Sequence, residues 1–297
     1  MSQESSWHYN SAENIFAVGF WSEFIKSIRA YTEDAVEHLL LAALAYLVIC
    51  FVLYVMTTRW DLIEFTRDVK NSERILIVIA HPDDECMFFG PTIQNFVKKK
   101  NCCLYLMCMS TGKNYGMDKV RKKELYEACK VLGINEECIM IYNHTLMPDS
   151  QSDKWPAELL GQLILHQVEI YDIDTLITFD KHGVSRHMNH CSIYYAIAHL
   201  SIERSLPRRC RVFVLESVNI LRKYWLLLDI PLSFLLSRYR FISTQNDRRK
   251  IKEAMKKHKS QLAWFRRLYL VFSRYTIINT LQQMDISDIE LDLEIDD

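Results

Sequence analysis

No two cysteines in this chain form a CxxC pair, although nine are present and two of them, Cys102 and Cys103, are adjacent. That scatter excludes a zinc ribbon and does not build the framework of a small secreted disulfide domain; it suits a reduced, cytosol-facing domain. Net charge is also lacking. The 36 Lys and Arg set against 37 Asp and Glu leave −1, which argues against a bulk nucleic-acid binder. The Gly-bearing loop at 110–116, STGKNYG, has no GxxxxGK[ST] spacing, so it is not a P-loop. There is no internal repeat, and no small-residue cleavage site of the kind that ends a removable signal peptide. What remains is a chain of 297 residues, 49% hydrophobic, long enough for one large domain or two small ones.

One apolar run stands out. Residues 39–56, LLLAALAYLVICFVLYVM, carry no charge and approach the length needed to cross a hydrocarbon core. They are expected to form a single transmembrane helix, preceded by a polar, aromatic-studded extension (1–38) and followed by a charged linker (57–74). Arg59, Arg67, Lys70 and Arg74 follow the span closely, against Lys26 and Arg29 before it, so the positive-inside rule places the large C-terminal part in the cytosol.

That part opens with ILIVIAHPDDE at 75–85. The continuous apolar run suits a strand buried on both faces of a parallel sheet, and the polar burst then falls at the strand's carboxyl end, where open α/β sheets bind ligands. His81 and three carboxylates, Asp83, Asp84 and Glu85, crowd into five residues and repel one another unless a cation sits among them. Downstream, apolar runs at 102–109, 139–142 and 174–179 alternate with helical patterns at 88–100, around 121–133 and at 157–170. This predicts an α/β, Rossmann-like fold: a mostly parallel sheet with helices on both faces, preceded by one transmembrane helix. The apolar stretch 226–236 is interrupted by Asp229 and Pro231 and is not a second span.

The strand at 174–179 also ends in a polar loop, DKHGVSRHMNH at 180–190. His187 and His190 stand three apart, a spacing that turns two imidazoles toward one point on a helical turn. His81, one of the two aspartates and His190 make a two-histidine, one-carboxylate set, the ligand type of hydrolytic zinc sites with a position open for water. A neighbouring carboxylate can take the proton from that water, and His187 can stabilise the oxyanion formed on attack at a carbonyl. The residues themselves thus reach metal-assisted hydrolysis without naming a substrate.

Together, AHPDDE (80–85), RKKEL (121–125) and GVSRHMNH (183–190) closely resemble the motifs of the PIG-L/LmbE family of zinc-dependent sugar N-deacetylases, over about 73–281. The resemblance implies a deacetylase domain at 75–284. It implies that His81, Asp84 and His190 bind zinc or another divalent metal, that Asp83 is the general base, and that His187 polarises the acetamide carbonyl. Arg121, Glu124 and Asn189 match positions near the family's substrate site. VLESVNILRKYWLLLDIPLS, SQLAWFRRLYLVFSRY and the membrane span favour the branch that makes glycosylphosphatidylinositol anchors. The implied partner is then a membrane glycolipid, N-acetylglucosamine on phosphatidylinositol. The implied location is the endoplasmic reticulum membrane, with the catalytic domain facing the cytosol. Deacetylation of another N-acetyl sugar conjugate, or non-catalytic glycolipid binding, are the alternatives.

The C-terminal stretch fits a membrane-surface substrate. Lys and Arg are dense over 248–267 and interleave with Trp264 and Phe265, the pattern of a basic amphipathic helix at a lipid interface. The acidic tail, 285–297, is expected to be disordered. Orientation has a test within the chain: Asn143-His144-Thr145 is a glycan acceptor triplet. A cytosolic domain leaves Asn143 unmodified in cells. An endoglycosidase-sensitive mass shift, lost in Asn143→Gln, would put the domain on the opposite side.

Overall fold

The computed structural model of the protein describes residues 5–60, 69, 71–112, 116–285 and 287. Half of the expected linker and most of the acidic tail lie outside these residues, as does the centre of the 110–116 loop. The chain divides at Phe51 and Val52 into two compact units.

Most of the first unit is helix α1 (Ser5–Trp60), which continues to Trp60 without a break. The sequence between these ends contains no proline and one glycine, so nothing stops the helix before Leu39, and the expected polar extension is, from Ser5, the same helix as the apolar run. At 56 residues it is roughly 84 Å long, against a hydrocarbon core of roughly 30 Å. Among the described residues it contains the one helix long and apolar enough to span a membrane. Leu40, Leu44, Val48 and Phe51 are exposed, as a helix that is apolar all round must be when its surroundings are lipid.

The second unit is built on a seven-stranded sheet in the order β3-β2-β1-β4-β5-β7-β6. Its strands are β1 (Arg74–Ile79), β2 (Cys103–Cys108), β3 (Ile139–Ile141), β4 (Thr175–Phe179), β5 (Arg211–Leu215), β6 (Tyr239–Ile242) and β7 (Ile278–Gln283). The first five pair in parallel, and β7 joins antiparallel to both β5 and β6. Strand β1 shows why its run reads as continuous apolar sequence. Ile75, Ile77 and Ile79 enter one core while Leu76 and Val78 enter the other, and all five are fully buried. Against the first face pack α3 (Gly90–Phe96), α4 (Asp118–Leu132) and α9 (Gln245–Met255), through Ile93, Leu125 and Ile251. Against the second pack α5 (Ala157–Ile170) and α6 (Met188–Ile202), through Ile164 and Ile197. A four-residue helix, α2 (Asp84–Met87), precedes α3, and the helix expected at 88–100 is the shorter α3 alone. Gly133 ends α4 in a left-handed conformation (φ 93°), its N–H returning to Cys129 and Lys130.

The antiparallel edge escaped the sequence pattern because two of the four buried residues of β7 are polar. Asn279 and Thr280 are fully buried, and Asn279 accepts from the Thr92 N–H and hydroxyl while donating to the Phe88 carbonyl. The region after β5 also holds α7 (Ile220–Lys223) and α8 (Asp229–Leu236). Asp229, which interrupts the apolar run, is fully buried with Arg222 Nε and Arg274 Nε each 2.7 Å from its carboxylate and the Ser233 hydroxyl donating at 2.6 Å. Arg274 is itself fully buried, so its charge depends on this partner. Asp229→Asn keeps the shape and removes the charge, at an expected cost of about 3–5 kcal/mol. Urea unfolding of the detergent-solubilised chain checks this; an unmoved midpoint would contradict the dependence.

Candidate metal centre and active-site cleft

Because β1 and β4 are parallel neighbours, with Ile75, Leu76 and Ile77 opposite Thr175, Leu176 and Ile177, their carboxyl ends lie side by side. From β1 the sheet grows one way through β2 and β3, and from β4 the other way through β5. The two polar loops therefore meet at the point where strand order reverses, the ligand crevice of open α/β sheets.

His81, Asp84 and His190 are all buried, and their ligand atoms lie within 4.8 Å of one another. Asp84 Oδ2 accepts from the Ala80 and His81 N–H groups and sits 3.4 Å from His190 Nε2 and 3.9 Å from His81 Nδ1. Burial pushes the Asp84 carboxyl up, but the charge of His190, with that of His81 and its backbone N–H, pulls it further down, to about 2. His190 Nδ1 is 3.1 Å from the Gly183 carbonyl, which can only accept. The ring proton is thereby assigned to Nδ1, and the lone pair of neutral His190 falls on Nε2, a buried atom with no hydrogen-bond partner. Burial, with the neighbouring His190 and His187 rings adding to it, lowers His81 to about 4 against the pull of Asp84 and Asp149, so at neutral pH the His81 ring is uncharged. Two imidazoles and one ionised carboxylate gathered this closely fit a divalent cation.

Asp83, next in the loop, has φ 104°, a left-handed conformation that costs a non-glycine residue energy. The conformation is held from behind. Glu85 accepts from the Asp83 N–H at 3.0 Å and lies 2.6 Å from His258 Nε2, and the Gln261 amide donates to the Pro82 carbonyl. Burial raises the Asp83 carboxyl to about 7, although Arg266, 3.1 Å from its Oδ2, lowers it. A carboxylate poised there can exchange a proton at neutral pH.

His187 caps α6, its Nδ1 accepting from the Asn189 N–H, so the neutral ring carries its proton on Nε2. Burial and the neighbouring His190 lower its pKa. His81, Asp83, Asp84, His187, His190 and Arg121 all line one cleft of about 380 Å³, together with Asp149, Phe265 and Arg266.

The remaining sequence-expected positions separate. Arg121 turns to Asp149 (2.7 Å), whose other oxygen lies 3.3 Å from His81 Nε2. Glu124 does not line the cleft; it is buried and accepts from the Ser260 N–H and hydroxyl. Nor is Asn189 on the cleft wall. Its side chain donates to the Pro148 carbonyl and contacts His81 Nε2 at 3.0 Å. Asp149, Arg266, His258 and Gln261 were not anticipated. Asp149 follows a strand end in a proline-bearing loop, a position that could have flagged it; nothing local flags the others.

The fold and the buried histidine–carboxylate set define an α/β protein with a candidate metal centre at the carboxyl ends of its parallel strands. The family pattern described as PIG-L, GlcNAc-PI de-N-acetylase, matches residues 76–201. The chain is 45% identical over 212 residues to an N-acetylglucosaminyl-phosphatidylinositol de-N-acetylase of Bos taurus, covering 71% of this chain and 83% of that one. It is 37% identical over 241 residues to a probable enzyme of the same name from Dictyostelium discoideum, covering 70% and 92%. The chain belongs to the PIG-L family. The fold is also that of an N,N′-diacetylchitobiose deacetylase from Pyrococcus horikoshii, with TM-score 0.53 and 14% identity over 77% of this chain and 90% of that one.

Gly183 tests the geometry. It has φ 53°, and a Cβ there would come within 2.8 Å of His190 Cβ. Gly183→Ala should displace the carbonyl that orients His190 and weaken metal binding by roughly 10–100-fold, read by chelator competition. Unchanged affinity would remove the carbonyl's role.

Proposed function

We propose that the protein is a zinc-dependent deacetylase that hydrolyses N-acetylglucosaminyl-phosphatidylinositol to glucosaminyl-phosphatidylinositol and acetate, the second step of glycosylphosphatidylinositol anchor synthesis. The family and the named relatives support the reaction. The observation that carries the mechanism is the unpartnered Nε2 of buried His190, facing Asp84 and His81 beside a carboxylate tuned to about 7.

In this reading His81, Asp84 and His190 hold the metal, which when bound supplies the Lewis acidity that lowers the pKa of an attacking water. The Asp83 carboxylate takes the proton from that water, and the same carboxyl can deliver it toward the departing amine. His187 donates its Nε2 proton to the acetamide oxygen as negative charge develops there. Arg266 lowers the Asp83 carboxyl against the larger effect of its burial. Arg121 fixes Asp149, which braces His81 from the side away from Asp84. Glu124 and Asn189 act as positioning residues, the first through the 258–261 turn and the second through His81.

The catalytic domain in this reading is 75–284, anchored by the apolar run 39–56 in the endoplasmic reticulum membrane. Its cytosolic orientation rests on the Arg and Lys excess after the span.

Acetate release from the glycolipid by the detergent-solubilised chain should stop on chelation and return with metal. Asp83→Ala should lower turnover by about 10²–10⁴-fold while retaining metal. His190→Ala should lose metal as well. Full activity in both variants would refute the assignment.

A further inference from the structure

Helix α10 (Trp264–Phe272) is inverted relative to an ordinary surface helix. Trp264, Phe265, Leu268, Val271 and Phe272, at positions i, i+1, i+4, i+7 and i+8, are 74, 55, 50, 43 and 48% exposed. Tyr269 and Leu270 pack inward, Tyr269 donating to the Met87 carbonyl. A single exposed apolar side chain needs no explanation, but five along one face of a nine-residue helix do. The patch continues across the neighbouring segment. Tyr224 packs 6.4 Å from the Tyr269 ring, and Ile220 and Leu221 of α7 are 72 and 64% exposed.

Two observations say what covers it. The first is position: Phe265 belongs both to the patch and to the wall of the cleft that holds His81, Asp83 and His190. The second is charge. No Asp or Glu occurs in 254–284, and Lys256, Lys259 and Arg267 in that stretch are exposed, Arg267 on α10 itself. Exposed aromatic and aliphatic side chains in a stretch whose charged side chains are all basic match an anionic phospholipid surface, apolar groups entering the acyl boundary and cations meeting the headgroups.

We propose that the outward face of α10, extended by α7, docks on an anionic bilayer and seats the mouth of the cleft against it, so that a lipid-borne headgroup enters without leaving the membrane. The benefit to a lipid substrate rests on the deacetylase reading; the docking itself does not.

The test uses the full chain in bilayer nanodiscs of phosphatidylcholine and phosphatidylserine. In a Cys103→Ser background, which removes the exposed native thiol, Leu268→Cys carries an environment-sensitive fluorophore, with the background chain as labelling control. Blue-shifted emission quenched by nitroxide lipids is expected. Emission that no nitroxide lipid quenches, from a probe in water or under a protein partner, would overturn the docking. In a second arm, Leu268→Glu with Phe272→Glu should slow hydrolysis of the bilayer-embedded glycolipid by roughly tenfold or more. Hydrolysis of a lipid-free N-acetylglucosaminyl-inositol phosphate should be unchanged. Equal loss on both substrates, or loss on neither, would overturn the seating. If the unsubstituted chain hydrolyses neither substrate, the deacetylase reading fails, and the quenching arm still decides the docking.

Discussion

The parallel pairing of β1 with β4 is the constraint on which the site depends. Roughly a hundred residues separate HPDDE from HMNH, and neither holds enough ligands alone. Adjacent strands lie about 4.8 Å apart, so two loops leaving neighbouring carboxyl ends bring their first side chains within reach of one ion. Both strands are buried on both faces, which pins their register through the two cores and leaves the loops little freedom to drift apart.

Around that junction, buried polar groups do the positioning. Asp84 is oriented by the backbone N–H groups of its own loop, and His190 by the Gly183 carbonyl. The strained Asp83 backbone is braced by Glu85, which reaches His258 far along the chain. Glu124 of α4 grips the same 258–261 turn through Ser260. One turn thus links two helices to the acidic loop, and the next helix delivers Arg266 to Asp83. Each buried carboxylate here has partners, as the cost of burying an unpaired charge requires.

The same turn relates the chemistry to the surface. Helix α10 begins just past it, so the element that places a guanidinium beside Asp83 also carries the exposed aromatic face. Cleft and surface patch share Phe265 and are therefore parts of one structure.

Local patterns in the chain were enough for the α/β class, the long apolar helix, the parallel strands and the two polar loops that meet at the cleft. Hydrophobic periodicity, strand-end chemistry and ligand type are written in short stretches, and β1 with its HPDDE loop is the plainest case. The antiparallel edge was not legible, because β7 buries Asn279 and Thr280 against partners that only the fold supplies. For the same reason Arg121 and Glu124, three apart on one helix and both expected near the substrate site, part to serve Asp149 and Ser260. Residue types and spacing by themselves determined that histidines and carboxylates crowd the ends of two buried strands, a set suited to a divalent cation. Tertiary structure decided which carboxylate faces the histidines and which polar groups hold them there, since those contacts join residues distant in the chain.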